Sequence, residues 1–198
     1  MDRKNKKLIF FLVAIHIGII TLSNFLVSIP FILYGYKITW AAFSFPFVVL
    51  VTDLTVRLLG KPIAQKTISY SYPLAVISSI IIVYIEGNLI SVAMRIGIAS
   101  ATAYALSVLI DIHAFQFIRK RYSKWWLAPS LSTVISNVID SYVFFSVAFL
   151  KSEEEYMAIN WIEIAGTQAV LKIIIGLVFF LPTYGILLNF LSKRLTKS

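Results

Sequence analysis

An all-α polytopic membrane protein with six transmembrane helices is the fold class that this 198-residue sequence predicts. Composition is the first reason: 59% of residues are apolar and only 14% charged, against about 45–50% and 25% in soluble domains. The apolar residues also gather into six runs, and a bilayer core takes roughly 20 helical residues to cross. Finally, the basic residues fall between the runs rather than across the chain, the pattern that orients a membrane protein. Mean hydropathy is +0.87, and the chain reads as one transmembrane domain over residues 1–198.

The predicted helices span about 8–28, 38–59, 69–85, 89–112, 126–150 and 161–191. The first begins, like a signal peptide, on a basic start and an apolar run. Leu8 to Val27 is too long for a signal core, however, and no small-x-small cleavage site follows, so an uncleaved helix is expected. The second carries Pro46 and the sixth Pro182. A proline frees a backbone carbonyl one turn earlier, and such breaks either face a cavity or simply kink the packing. The third is short, opening on Ser69-Tyr70-Ser71-Tyr72-Pro73. The sixth is long enough to tilt or to project from the bilayer.

Orientation follows from the lysines and arginines of the connections. Arg3, Lys4, Lys6 and Lys7, then Arg57, Lys61 and Lys66, then Arg119, Lys120, Arg121 and Lys124, and finally Lys193, Arg194 and Lys197 all fall on one side of a six-helix chain. The other side has only Lys37 and Lys151, with Glu86 and Glu153-Glu154-Glu155. Both termini are therefore expected in the cytoplasm of an inner-membrane protein. The net charge of +9 is topological on this reading and does not point to nucleic acid.

Four charged residues lie inside the apolar runs: Asp53, Arg95, Asp140 and Lys172. Each costs roughly 3 kcal/mol to insert, so each needs a partner, a water-filled cavity or a ligand. At a rise of 1.5 Å per residue, Asp140 lies about 21 Å from the inner edge and Arg95 about 9 Å below the outer edge, while Gln168 and Lys172 lie about 10 and 16 Å deep. Asn24 and Asn137 fall in the same slab. Asn137 with Asp140 (i,i+3) and Gln168 with Lys172 (i,i+4) each share a helix face. A polar substrate site of these six residues is the sharper reading, and a charge pair of Asp140 with Arg95 or Lys172 that merely fastens helices is the plainer one. Nearer the inner side, Asp53 and Arg57 are i,i+4, and Asp111 and His113 end the fourth helix. That group reads as a gate of an alternating-access carrier, or as a local salt bridge with Arg57 snorkelling to the interface.

Enzymatic chemistry finds no foothold. There is no Gly-rich phosphate loop, HExxH, GxSxG or carboxylate cluster with metal spacing. Without cysteine, and with only His16 and His113, no thiolate or histidine metal centre can form, and no cofactor is expected. A structural protein whose charges only fasten helices is a rival reading, and it predicts no saturable ligand.

Motifs along the chain then carry a family resemblance. Thr39-Trp40-Ala41-Ala42-Phe43-Ser44-Phe45-Pro46-Phe47 with Thr52-Asp53-Leu54-Thr55-Val56-Arg57 and Gly60 resembles the signature of the bacterial queuosine precursor transporters, also called the vitamin uptake transporter family. The similarity continues through Met94-Arg95-Ile96, Leu109-Ile110-Asp111-Ile112-His113, Trp125-Trp126-Leu127-Ala128-Pro129, Asn137-Val138-Ile139-Asp140, Trp161-Ile162-Glu163-Ile164, Lys172 and Phe179-Phe180-Leu181-Pro182-Thr183-Tyr184-Gly185. The resemblance implies inner-membrane uptake of 7-cyano-7-deazaguanine, 7-aminomethyl-7-deazaguanine or the queuine base, precursors of a modified transfer-RNA nucleoside. It also implies a six-helix fold distantly similar to the substrate-binding subunits of energy-coupling-factor transporters. A subunit of that kind, working with a partner membrane protein and ATPases, is the alternative function, and a homodimer is left open.

Such a solute suits these residues. Its N1–H and exocyclic amine match one carboxylate, Asp140 first and Asp53 second. Its O6 and nitrile need donors such as Asn24, Asn137, Gln168, Arg95 or Lys172. Its flat face needs an aromatic plane, for which Phe45, Phe47, Tyr142, Phe144 and Trp161 are candidates.

Overall fold

The computed structural model describes residues 3–27, 30–33 and 36–195. Six of its helices are long and apolar enough to cross a membrane. They are α1 (Arg3–Val27), α2 (Ala41–Leu59), α3 (Lys61–Ile85), α4 (Ile90–Arg121), α5 (Leu127–Phe149), and the run α6 (Glu155–Ile175) with α7 (Leu181–Leu195). Between α1 and α2 lies a short antiparallel hairpin, β1 (Pro30–Leu33) on β2 (Tyr36–Thr39), with Pro30 opposite Thr39 and Leu33 opposite Tyr36.

The six helices match the expected number, but several boundaries move. Helix 2 was expected from residue 38, yet Tyr36–Thr39 is strand: Tyr36, Ile38 and Thr39 are strand formers, and pairing with β1 satisfies their backbone groups. The third helix starts at Lys61 rather than 69, which leaves Gly60 alone between α2 and α3. Gly60 adopts φ +93°, a left-handed conformation natural to glycine, and its N–H bonds back to the Thr55 carbonyl at 3.1 Å. Pro62 then sits in the first turn of α3, where its missing N–H costs nothing. The polar residues that blurred this start donate their hydroxyls one turn back: Thr67 to Ile63, Ser69 to Gln65 and Ser71 to Thr67. Helix α4 runs nine residues past the expected 112, to Arg121, and ends on Arg119, Lys120 and Arg121, where cations complement the helix dipole.

The last run is interrupted by one widened π-helical turn, Gly176–Phe180, closed by the Leu181 N–H on the Gly176 carbonyl. Pro182 follows at once. Proline's ring clashes with the carbonyl four residues earlier, and widening the turn is a standard relief. Helix α2, in contrast, continues unbroken through Pro46.

Helix α4 packs between α3 and α5, α6 packs on α5, and α1 covers α3 and α2. Helix α2 is the most enclosed of the six and touches α1, α3, α4, α5, α6 and α7. The shared core includes Val48, Val56, Ile68, Val108, Ile112 and Phe115. Large apolar side chains such as Phe10, Phe11, Ile77, Ile162, Val178 and Ile186 stay exposed, as lipid-facing surfaces should. A small-residue stripe, Ala93, Gly97 and Ala101, is buried on α4 and lets backbones approach closely. A Cβ on Gly97 would lie 2.8 Å from the Ile80 backbone nitrogen on α3. Gly97→Ala therefore has to push two helices apart, and a loss of about 1–3 kcal/mol is expected as a lower melting temperature in detergent, with Gly18→Ala, which meets nothing within 4 Å, as the control.

Candidate functional site

Helices α2, α5 and α6 bring a charge pair together inside the apolar spans. Lys172 Nζ donates to Asp140 Oδ2 at 2.8 Å, the two side chains being 13% and 8% exposed. The same Nζ lies 5.2 Å from the centre of the Phe45 ring, close enough for a cation–π attraction. Asp140 Oδ1 meets no donor among the described residues, and the Gln168 amide, one turn before Lys172 and buried, bonds to no described protein group. These are open valences beside a fixed cation and an aromatic ring. The i,i+3 and i,i+4 spacings of the sequence put both polar pairs on the faces that meet.

Asn137 is fully buried on α5. Its Nδ2 donates to the Thr133 carbonyl at 2.7 Å, while among the described residues its Oδ1 has no donor and the buried Ser141 hydroxyl one turn on has no partner. The polar face of α5 thus holds unsatisfied groups near Asp140, an arrangement that costs stability unless a ligand or water uses them.

A small cavity opens next to this face, lined by Pro46, Asp53, Thr133, Gly176, Phe180 and Tyr184 among others. The widened turn forms one wall. A Cβ on Gly176 would lie 2.7 Å from Thr133 Cγ2, so the close approach of this turn to α5 requires glycine. Phe47 packs edge-on against Phe180 with ring centres 4.4 Å apart. Pro182 lines instead a separate groove with Arg57, Trp125, Trp126 and Gly185.

The inner acidic group is arranged differently from the expected gate. Asp53 forms no ion pair with Arg57 or with any other described base; it faces Asp111 of α4, and Ser132 of α5 donates to Asp53 Oδ1 at 3.5 Å. Both acids are fully enclosed, 1% and 0% exposed. Arg57 instead offers its carbonyl to Arg119 Nη1 at 3.2 Å. The plainer expectation of an intrahelical salt bridge fails because α4 and α5 cover the face on which Asp53 lies.

Two residues of the expected slab lie elsewhere. Asn24 Nδ2 donates to Ser79 Oγ at 2.6 Å and its Oδ1 accepts from Ser100 Oγ at 2.9 Å, which clamps α1, α3 and α4 together. Arg95 does not approach Asp140; it donates to the carbonyls of Val147 and Leu150, where a cation caps the free end of α5. Trp161 is half-buried with no ring partner among the described residues, and Tyr142 keeps its hydroxyl near Gly166. Phe144 packs on Phe145 and Phe149. Ser132 and Ser136 join the site without having been expected in it, and Tyr184 was expected only as part of the family-like stretch 179–185. The signal for the serines was present: 132, 136 and 140 form one i,i+4 stripe that ends on Asp140.

Residues 39–187 match the family described as "Putative vitamin uptake transporter". The chain belongs to the vitamin uptake transporter family. The matched span takes in Phe45, Asp53, Asp111, Asp140, Lys172 and Tyr184 and leaves out all of α1. The chain is 41% identical over 204 residues to the queuosine precursor transporter of Escherichia coli (strain K12), covering 96% of the chain and 90% of that relative. It is 32% identical over 217 residues to the "Probable queuosine precursor transporter" of Haemophilus influenzae (strain ATCC 51907 / DSM 11121 / KW20 / Rd), covering 98% and 92%. No solved structure matches the chain. With six spanning helices and these relatives, it is a multi-pass inner-membrane transporter and not an enzyme.

Proposed function

We propose that this transporter takes up a queuosine precursor, a 7-deazaguanine such as 7-cyano-7-deazaguanine, by alternating access, with both termini in the cytoplasm. The observation that carries this reading is the Asp140–Lys172 pair under the Phe45 ring, with Asp140 Oδ1 and the Gln168 amide unengaged. The names of the relatives supply the solute class. A deazaguanine ring resting on Phe45 directs N1–H and its exocyclic amine at Asp140, while Lys172 or Gln168 donates to O6. An adenine edge has an acceptor at N1 and leaves these buried groups unpaired, and sites built this way discriminate strongly. Purified protein in proteoliposomes loaded with unlabelled 7-cyano-7-deazaguanine should then draw in the labelled compound by counterflow, and adenine should not compete. Saturable binding without counterflow is the contrary result, the behaviour of a binding subunit.

The cytoplasmic placement of the termini rests on the basic residues at the inner ends of α2, α3 and α4. Reporter fusions after Tyr36 and Glu155 should read as external, and fusions after Tyr122 and Ser198 as cytoplasmic. A cytoplasmic reading at Glu155 contradicts this orientation.

A further inference from the structure

Two carboxyls face each other in the interior of this protein, and the proposed substrate chemistry uses neither. Asp53 projects from α2 and Asp111 from α4, and both are enclosed on all sides. Neither oxygen of Asp111 meets an N–H or O–H donor among the described residues. The neighbouring hydroxyls are committed elsewhere: Ser136 Oγ donates to the Thr133 carbonyl at 3.2 Å, and Ser132 Oγ is shared between Asp53 at 3.5 Å and the Pro129 carbonyl at 3.4 Å. No described basic side chain forms an ion pair with either acid. Tyr184 of α7 feels the charges of Asp53, Arg57 and Arg119. Tyr184 is 1% exposed and its hydroxyl has no partner among the described residues, and it lines the same cavity as Asp53.

Two bare carboxylates in this setting repel through a low dielectric, with no described cation in ion-pair contact with either. A single proton between the two carboxyls removes that repulsion and satisfies the orphaned oxygens of Asp111 in one step, because a carboxylic acid is a donor and a carboxylate an acceptor. We infer that the facing carboxyls of Asp53 and Asp111 form a proton-binding site that couples substrate movement to a proton. The proton comes from water on one side of the membrane, rests between the two acids and leaves to water on the other side; no other bond changes. Coupling to the substrate runs through α5, which presents Ser132 to Asp53 and Asp140 to Lys172, about two turns apart. Whatever moves α5 as the substrate binds also alters the contacts of the acidic pair.

This inference rests on the proposed transport of a deazaguanine, and the experiment keeps the two apart. Proteoliposomes containing the whole purified protein, with a pH dye trapped inside, receive labelled 7-cyano-7-deazaguanine at equal pH, with acid outside, and with a sodium gradient at equal pH. Counterflow at equal pH tests the transport reading alone. With acid outside, the wild type should accumulate the compound up to about tenfold per unit of pH gradient at one proton per molecule, and the lumen should acidify as it enters. In Asp111→Asn and in Asp53→Asn, whatever entry remains should carry no proton, so that the ratio of protons to substrate falls towards zero. Counterflow with no acceleration by the pH gradient in the wild type overturns the inference while leaving transport standing. So does accumulation driven by sodium, or a wild-type proton ratio in both variants. The wild-type measurements decide the matter even where a variant fails to fold.

Discussion

Lys172→Met should cost this transporter both its stability and its ligand. Methionine keeps the length of the side chain and removes the charge, which leaves Asp140 with no donor on either oxygen inside an apolar span. Removing one partner of a buried ion pair costs about 3–5 kcal/mol, because the surviving charge is left uncompensated. The cation over the Phe45 ring is lost as well. The expected result is a large fall in melting temperature in detergent and no calorimetric binding of 7-cyano-7-deazaguanine. Adding Asp140→Asn removes the orphaned charge, so Asp140→Asn/Lys172→Met should melt close to the wild type and still bind nothing. That divergence separates a pair that holds a substrate from one that only joins α5 to α6. A single variant that melts like the wild type would mean that water already screens the pair.

The residues that make this prediction were visible in the sequence, since a lysine and an aspartate in apolar runs stand out and their i,i+3 and i,i+4 neighbours fix the face. What local pattern could not supply was the partner across the bundle. Asp140 had two candidate cations at similar depth, and the choice fell to Lys172 because the Arg95 side chain reaches the free carbonyls ending α5. Asn24 looked like part of the slab, yet Ser79 and Ser100, 55 and 76 residues away in sequence, occupy it. Asp53 and Asp111 are separated by the end of α2, all of α3 and much of α4, so no spacing rule could pair them. Hydropathy counted the spans correctly but not their ends. It could not foresee that Gly60 alone would turn the chain, or that strand pairing at Tyr36–Thr39 would delay α2. Pro182 did announce a break, but only the three-dimensional contact of Gly176 with Thr133 shows that the widened turn walls a cavity.

Asp140→Asn should weaken deazaguanine binding sharply in a protein that still inserts and folds. The carboxylate has two acceptor oxygens, one engaged by Lys172 and one open. An asparagine has one acceptor and one donor group. If its carbonyl keeps Lys172, its NH2 points at the N1–H and amine of the base, donor against donor; if it turns to accept from the base, Lys172 loses its partner. Either way one charge-assisted hydrogen bond is lost, worth about 1.5–3 kcal/mol or roughly 10- to 150-fold in affinity. Stability should suffer less than in Lys172→Met, because the flexible ammonium can move towards water where a fixed buried carboxylate cannot. Preference should change as well: with the second acceptor gone, a guanine edge loses more than an adenine edge, so the ratio of the two affinities narrows. Titration of the purified variant with 7-cyano-7-deazaguanine and with adenine reads both effects. Unchanged affinity for the deazaguanine would remove Asp140 from the site and pass the carboxylate role to Asp53, which the cavity beside Thr133 and Gly176 would then have to open to the substrate.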